Sequence, residues 1–127
     1  MKLKDLTPRL ADKLVFEKWN WHIKHPSKGS GDWGRWKRNG GDVPEMECFC
    51  PYCQLFYYNL HPNKSNPITP YQFDCNKKCP LVQVGQMCEK KGNWYDKWRK
   101  AKSPKTRKKY ATLIRDVAGE RLGEDGR

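Results

Sequence analysis

The chain has 127 residues, a length typical of one domain, and its 26 Lys and Arg against 14 Asp and Glu give a formal net charge of +12. This charge favours an acidic partner, either nucleic acid or an acidic protein surface, and argues against a membrane. The sequence has no run of about 18 apolar residues and no apolar signal-peptide core, so we expect a cytoplasmic protein.

A helix is predicted near the N-terminus. Thr7 and Pro8 supply an N-cap residue and a proline at the first helical position. Apolar residues then recur at helical spacing until His25-Pro26, where the pattern ends because proline disfavours the helical conformation of the preceding residue. We therefore expect a helix over residues 8 to 24, within an N-terminal unit of residues 1–26.

A Gly-rich loop is predicted over residues 27–47. It combines aromatic rings with cations at Trp33, Arg35, Trp36 and Arg38. Such a mixture can stack on exposed bases and neutralise phosphates, so these four residues are candidate nucleic-acid contacts. The competing interpretation is structural: one or both Trp rings fold back to cover the metal site or the first helix, since Trp side chains are usually mostly buried.

Residues 48–90 form a predicted zinc module that contains all six cysteines. The Cys50–Cys53 pair is separated by two residues and the Cys75–Cys79 pair by three, both within the spacing of zinc-binding pairs. In a reducing compartment, paired thiols indicate a metal more often than a disulfide. We predict one structural Zn²⁺ held by these four thiolates, which close a tetrahedral site and leave no position for a substrate.

Other potential ligands lie in the same module. Cys88 is an alternative to Cys75 as the fourth ligand. Cys48 is too close to Cys50 to form a comfortable zinc-binding pair with it, so we expect Cys48 not to bind the ion. The role of His61, the one histidine of the module, stays open.

Two helices are predicted over residues 91–123, followed by a tail at 124–127. Gly92-Asn93 and Ser103-Pro104 are helix-start signals, and Gly123 is expected to be the C-cap residue. Eight cations with no acidic residue among them lie around the junction of these helices, and we predict that they contact phosphates. They are Lys97, Arg99, Lys100, Lys102, Lys105, Arg107, Lys108 and Lys109.

The order of these motifs resembles small uncharacterised proteins of tailed bacteriophages. The motifs are Cys50-Pro-Tyr-Cys53, Cys75-x3-Cys79-Pro80-Leu81, Cys88 and Tyr95-x2-Trp98. The phage proteins carry Cys-Pro-x-Cys, then Cys-x2-Cys-Pro with an aliphatic residue, a further Cys and a Tyr/Trp pair. The resemblance covers residues 14 to 98 and implies a phage-encoded protein made in the cytoplasm of a bacterial host. It brings no known activity.

Together these elements predict a small α-rich zinc-binding domain with an N-terminal helix, a Gly-rich loop, a zinc module and two C-terminal helices. The cysteines are not accompanied by a cluster of His, Asp and Glu, so we expect no enzymatic activity. The predicted function is that of a phage accessory protein that binds DNA or RNA through its basic C-terminal face. The alternative is a protein–protein module that binds and modulates a host enzyme or defence factor.

Overall fold

A computed structural model of the protein describes residues 2–46, 49–59, 79–86 and 92–125. Its helices are α1 (Pro8–Lys24), α2 (Pro51–Cys53), α3 (Pro80–Gln83), α4 (Trp94–Lys100) and α5 (Pro104–Asp125). A π-helical turn over Gln54–Tyr58 follows α2, and 3-10 turns cover Leu3–Asp5, Ser30–Asp32 and Lys37–Asn39. The described part of the chain contains no β-strand beyond one isolated bridge, so the prediction of an α-rich domain is confirmed.

The first helix begins and ends where the sequence predicts. The Thr7 hydroxyl accepts a hydrogen bond from the backbone N–H of Leu10 at 3.2 Å, and Pro8 is the first helical residue. The last helix starts by the same mechanism, since Ser103 Oγ accepts from the N–H of Thr106 at 3.2 Å. Its predicted end is wrong, however. Gly123 keeps a helical conformation, and α5 continues to Asp125.

Helices α1 and α5 pack antiparallel and form the frame of the fold. Near the start of α1, Arg121 Nε donates to Asp12 Oδ1 at 3.0 Å. Just beyond its end, Arg107 Nη2 donates to the backbone oxygen of Lys28 at 3.3 Å. The start of α5 therefore lies beside the end of α1. The end of α5 lies beside the start of α1, at the opposite end of the helix pair.

The core is built around aromatic rings. Trp98 of α4 lies 4.8 Å from the ring of Trp19 and 4.8 Å from that of His22, both on α1. Edge-to-face packing of this kind is favoured by the quadrupoles of the rings. The contacts fix α4 against the α1–α5 pair. The buried apolar side chains of α1 and α5 are Ala11, Leu14, Val15, Trp19, Ala111, Ile114 and Ala118.

The Gly-rich loop closes on itself and packs against the core. The N–H of Val43 donates to the oxygen of Arg35 and the N–H of Lys37 donates to the oxygen of Val43, each at 2.8 Å. Gly41 lies inside this closed turn, and its N–H donates to the oxygen of Trp36 at 3.0 Å. A Cβ at Gly41 would lie 2.3 Å from the backbone of Arg35, so only glycine fits this position.

Candidate nucleic-acid interface

Helices α4 and α5 and the short linker between them carry the cations that the sequence singles out. Asn93 caps α4, because its side-chain oxygen accepts from the N–H of Asp96 at 2.7 Å. Ser103 caps α5 after a linker of residues 101–103. Two successive caps therefore set the orientation of both basic helices, and Trp98 holds α4 against the core through its contact with Trp19.

Seven of the eight cations predicted to contact phosphates are exposed. We call these seven residues the basic face. Its residues are Lys97, Arg99, Lys100, Lys102, Lys105, Lys108 and Lys109. It surrounds the start of α5, whose first turn contains no acidic residue. The N-terminal end of a helix carries a partial positive charge, so cations there are not stabilised by the helix dipole.

Asp96 neutralises part of this face. Its Oδ1 lies 2.9 Å from Arg99 Nη2, and its Oδ2 lies 3.3 Å from Lys100 Nζ. The backbone N–H of Gly92 and the Arg99 side chain lower the pKa of Asp96 from 3.8 to about 2, so the carboxylate is charged at neutral pH. Within the described ranges the remaining five cations of the basic face have no ion pair; they are Lys97, Lys102, Lys105, Lys108 and Lys109.

Arg107 is placed differently from its neighbours. Its guanidinium carbon lies 4.3 Å from the centre of the Trp98 ring, and its Nη2 donates to the backbone oxygen of Lys28. Such a cation–π contact is worth about 0.5–2 kcal/mol, depending on how far it is removed from water. Arg107 therefore joins α4, α5 and the segment after α1, and it is only partly exposed.

The two Trp rings of the Gly-rich loop do not face solvent. Trp33 is 1% exposed and Trp36 is 0% exposed, with their ring centres 5.0 Å apart in an edge-to-face arrangement. The Trp36 indole N–H donates to the backbone oxygen of Ser30 at 3.0 Å, which satisfies its polar edge inside the core. The prediction that these rings stack on bases is therefore wrong, and both rings are buried structural residues, as the competing interpretation expected.

The arginines of this loop are engaged within the protein. Arg35 forms ion pairs with Glu17 at 2.6 Å and with Asp42 at 3.0 Å. These carboxylates raise the pKa of the Arg35 guanidinium despite its partial burial. Arg38 pairs with Glu45 at 2.9 Å. The two guanidinium groups thus have acidic partners, unlike the five lysines without ion pairs.

Tyr110 of α5 lies next to the basic face and is not among the candidate contacts named from the sequence. Its ring is partly exposed and lies on the flank of α5 that faces α4. The Nζ of Lys97 lies 5.7 Å from the ring centre and the Nζ of Lys109 lies 5.3 Å from it. The contact between Tyr110 and Lys97 depends on how α4 packs on α5, and local sequence patterns do not contain that information.

The cysteines are described in part. Cys50 and Cys79 each occupy the N-cap position of a helical turn that begins with proline, and both have extended backbone conformations. Cys53, at the end of α2, is buried, as is Cys79, while Cys50 is partly exposed. Among the residues that the structure describes, no three side chains of the kinds that bind metals come together. The remaining predicted or possible ligands, Cys75, Cys88 and His61, lie outside the described residues, as does Cys48, which we expect not to bind the ion.

A buried polar cluster was not predicted from the sequence. Lys18 is 1% exposed, and its Nζ donates to Ser30 Oγ at 2.7 Å and lies 3.0 Å from His22 Nε2. Burial lowers the pKa of Lys18 from 10.5 to about 7, and the nearby Cys50 partly opposes this shift. The four-residue spacing of Lys18 and His22 places both on one helix face, but charged and polar residues are normally expected to face water.

Comparison with family models, with curated proteins and with solved structures gives no significant match. None of the helices described here is long and apolar enough to cross a membrane.

Proposed function

We propose that the protein is a non-enzymatic nucleic-acid-binding protein that contacts phosphates through its basic face. The observation that carries this proposal is the group of exposed lysines without an ion pair in the described structure, all within residues 97–109. Lys105, Lys108 and Lys109 lie near one another at the start of α5. Their mutual repulsion and the positive end of the helix dipole are both relieved when a polyanion binds there.

The distribution of acidic residues supports a localised interface. Asp96 pairs with Arg99 and Lys100, which leaves the lysines near the start of α5 without an acidic partner in the described ranges. The two arginines of the Gly-rich loop, Arg35 and Arg38, have acidic partners of their own. The lysines of the basic face without an ion pair are thus close together around the junction of α4 and α5, which favours a partner with closely spaced negative charges.

The proposal includes a structural Zn²⁺ bound by Cys50, Cys53 and Cys79 together with Cys75 or Cys88. In support, Cys50 and Cys79 have the same local arrangement, a capping cysteine followed by a proline that starts a helical turn. The residues after them anchor both turns in the core, because Tyr52 and Leu81 are buried. Four thiolates would complete a closed site, which stabilises the fold and supplies no catalytic position.

The resemblance of residues 14 to 98 to tailed-bacteriophage proteins supports a role as a phage accessory protein. Such a protein would act in the cytoplasm of a bacterial host, where nucleic acid is abundant. A host enzyme or defence factor with an acidic surface remains the competing partner, and the experiment below separates the two.

The test compares two double variants with the same change in charge. Lys105→Gln/Lys108→Gln removes two cations of the basic face. Lys4→Gln/Lys13→Gln removes two exposed cations near the opposite end of the α1–α5 pair. Labelled single-stranded and duplex oligonucleotides are titrated by fluorescence anisotropy at several salt concentrations.

Binding through about five lysines predicts that log K falls with log salt at a slope of about −4. Lys105→Gln/Lys108→Gln should reduce this slope by about 1.5, and Lys4→Gln/Lys13→Gln should leave it unchanged. Equal losses in both variants would contradict the assignment to the basic face. If no oligonucleotide binds and one host protein remains bound after a nuclease-treated pull-down, the competing partner class replaces nucleic acid.

A further inference from the structure

The basic face lacks the aromatic rings that the sequence assigned to it, since Trp33 and Trp36 are buried. Lysines alone would contact phosphates of a duplex and of a single strand alike. A ring beside them would change this, because an unpaired base can stack on an aromatic side chain. The question is therefore which ring lies next to the basic face.

Among the residues that the structure describes, Tyr110 is such a ring. It is partly exposed, and it lies between one lysine of α4 and one lysine of α5, with Lys97 Nζ at 5.7 Å and Lys109 Nζ at 5.3 Å from the ring centre. Its inner part packs against the core, so the ring is held by the α4–α5 junction. A rigidly held ring loses little conformational freedom when a ligand stacks on it.

The ammonium groups of Lys97 and Lys109 can leave the Tyr110 ring and bind a phosphate instead. Both lysines are exposed, and cation–π contacts at exposed sites are weak. A phosphate is the stronger partner for an ammonium group, because their interaction is between full charges. A bound strand would therefore draw Lys97 and Lys109 to its backbone and leave the face of Tyr110 open to a base.

We propose that Tyr110 is a stacking platform for an unpaired base, which makes the basic face select single-stranded nucleic acid over duplex. This inference rests on the proposed function and names its substrate class. In a duplex the bases are stacked on each other, so the Tyr110 ring can reach only the sugar-phosphate backbone on the outside of the helix. Duplex binding would then depend on the lysines alone, and single-strand binding on the lysines and the ring.

Three substitutions at this position separate stacking from packing. Tyr110→Leu keeps an apolar side chain and removes the aromatic face. Tyr110→Phe keeps the face and removes the hydroxyl, and Tyr110→Trp enlarges the face. Dissociation constants for a single-stranded oligonucleotide and for the corresponding duplex are measured at one salt concentration, well below the melting temperature of each variant, and salt slopes are measured for both.

Tyr110→Leu should weaken single-strand binding about tenfold and change duplex binding less than about twofold. The salt slopes should stay unchanged because no charge is removed. Tyr110→Phe should bind like the unsubstituted protein and Tyr110→Trp should bind single strands more tightly. Equal losses for single strand and duplex, or no loss in Tyr110→Leu, would overturn the inference.

The proposed function fails in a different way. If Lys105→Gln/Lys108→Gln weakens binding and Tyr110→Leu does not, the basic face binds nucleic acid and the stacking platform is wrong. If the unsubstituted protein binds neither oligonucleotide, the proposed function itself is wrong.

Discussion

The ammonium nitrogen of Lys18 lies 3.0 Å from Nε2 of His22, and neither side chain is more than 1% exposed. A hydrogen bond between them requires Nε2 to be unprotonated and to accept. Burial, followed by the positive charge of Lys18, lowers the pKa of His22 from 6.5 to about 2. The neutral imidazole is therefore a condition for this packing, and His22 does not have the properties of a surface histidine.

This pair makes the free energy of unfolding depend on pH. Below pH 6.5 the unfolded chain protonates His22 and the folded chain does not, so the unfolded state binds more protons and stability falls as the pH decreases towards 2. His22→Gln supplies an acceptor for Lys18 and removes the titrating group. We expect its denaturant midpoint to fall less between pH 7 and pH 4 than that of the unsubstituted protein.

Carboxylates also contribute to acid unfolding, so the informative quantity is the difference between the two pH profiles. The contribution of Asp96, whose pKa is lowered from 3.8 to about 2, is fully present above about pH 4 and is lost as the pH falls from there towards 2. Parallel profiles for His22→Gln and the unsubstituted protein between pH 7 and pH 4 would show that His22 protonates in the folded state.

Gly41 offers a test of the closed loop that buries the two tryptophans. A Cβ at this position would lie 2.3 Å from the backbone oxygen and carbonyl carbon of Arg35, and neither atom can move without breaking the turn. Gly41→Ala should therefore lower the free energy of unfolding by more than about 2 kcal/mol, a loss typical of severe backbone strain. The measurement is a denaturant titration followed by tryptophan fluorescence.

Gly34→Ala is the matched control for this substitution. Gly34 is exposed in the same loop, and a Cβ there would have no atom within 4 Å. We expect a change of about 0.5 kcal/mol or less. Similar losses in both variants would mean that the loop tolerates no side chain at any glycine, and the close approach at Gly41 would not be the cause.

The sequence predicts the helices better than the position of the aromatic rings. Local signals, such as the Thr7-Pro8 and Ser103-Pro104 caps, depend on neighbouring residues and act in the same way in any fold. Gly123 does not end α5, although glycine is common just after the last residue of a helix. Glycine can also adopt helical backbone angles, and the helix continues to Asp125. Signals of this local kind fix where a helix starts more firmly than where it ends.

The burial of Trp33 and Lys18 depends on tertiary contacts that local patterns do not contain. Trp33 lies among cations and glycines in the sequence, yet its closed loop turns the ring towards Trp36 and the core. Lys18 looks like a polar residue of an amphipathic helix, and its buried partners are His22 on the same helix and Ser30, which tertiary folding brings to it. The candidate cations were identified from the sequence, but their ion pairs were not.

Tyr52 tests the polar contact that links α2 to the helix pair. Its hydroxyl donates to Asp12 Oδ1 at 2.6 Å, and Arg121 Nε donates to the same oxygen at 3.0 Å. Asp12 and Tyr52 are fully buried. Tyr52→Phe removes a hydrogen bond to a buried charge, so we expect the free energy of unfolding to fall by about 1.5–3 kcal/mol.

Tyr110→Phe is the control, because it removes the same hydroxyl from a partly exposed ring. Its effect on chemical denaturation should stay within about 0.5 kcal/mol. A loss in Tyr52→Phe no larger than that in Tyr110→Phe would mean that the Asp12 carboxylate is adequately satisfied without the tyrosine.

The proposed zinc site is tested by elemental analysis of the purified protein, which should give about one Zn²⁺ per chain. Cys50→Ser is the most informative substitution, since Cys50 is partly exposed and its replacement disturbs the core less than that of the buried Cys79. We expect Cys50→Ser to lose the metal and to lower the melting temperature, because metal binding energy contributes to folding in such sites. Cys48→Ser is the matched control and should keep the metal.

The fourth ligand follows from the same measurement made on two further variants. If Cys75 completes the site, Cys75→Ser loses the metal and Cys88→Ser keeps it, and the reverse result assigns Cys88. Full metal content in both variants would mean that Cys50, Cys53 and Cys79 bind the ion with a different fourth ligand. A metal-free preparation with the same melting temperature before and after added Zn²⁺ would exclude the site. The fold would then depend on the aromatic core around Trp98 and the α1–α5 pair alone.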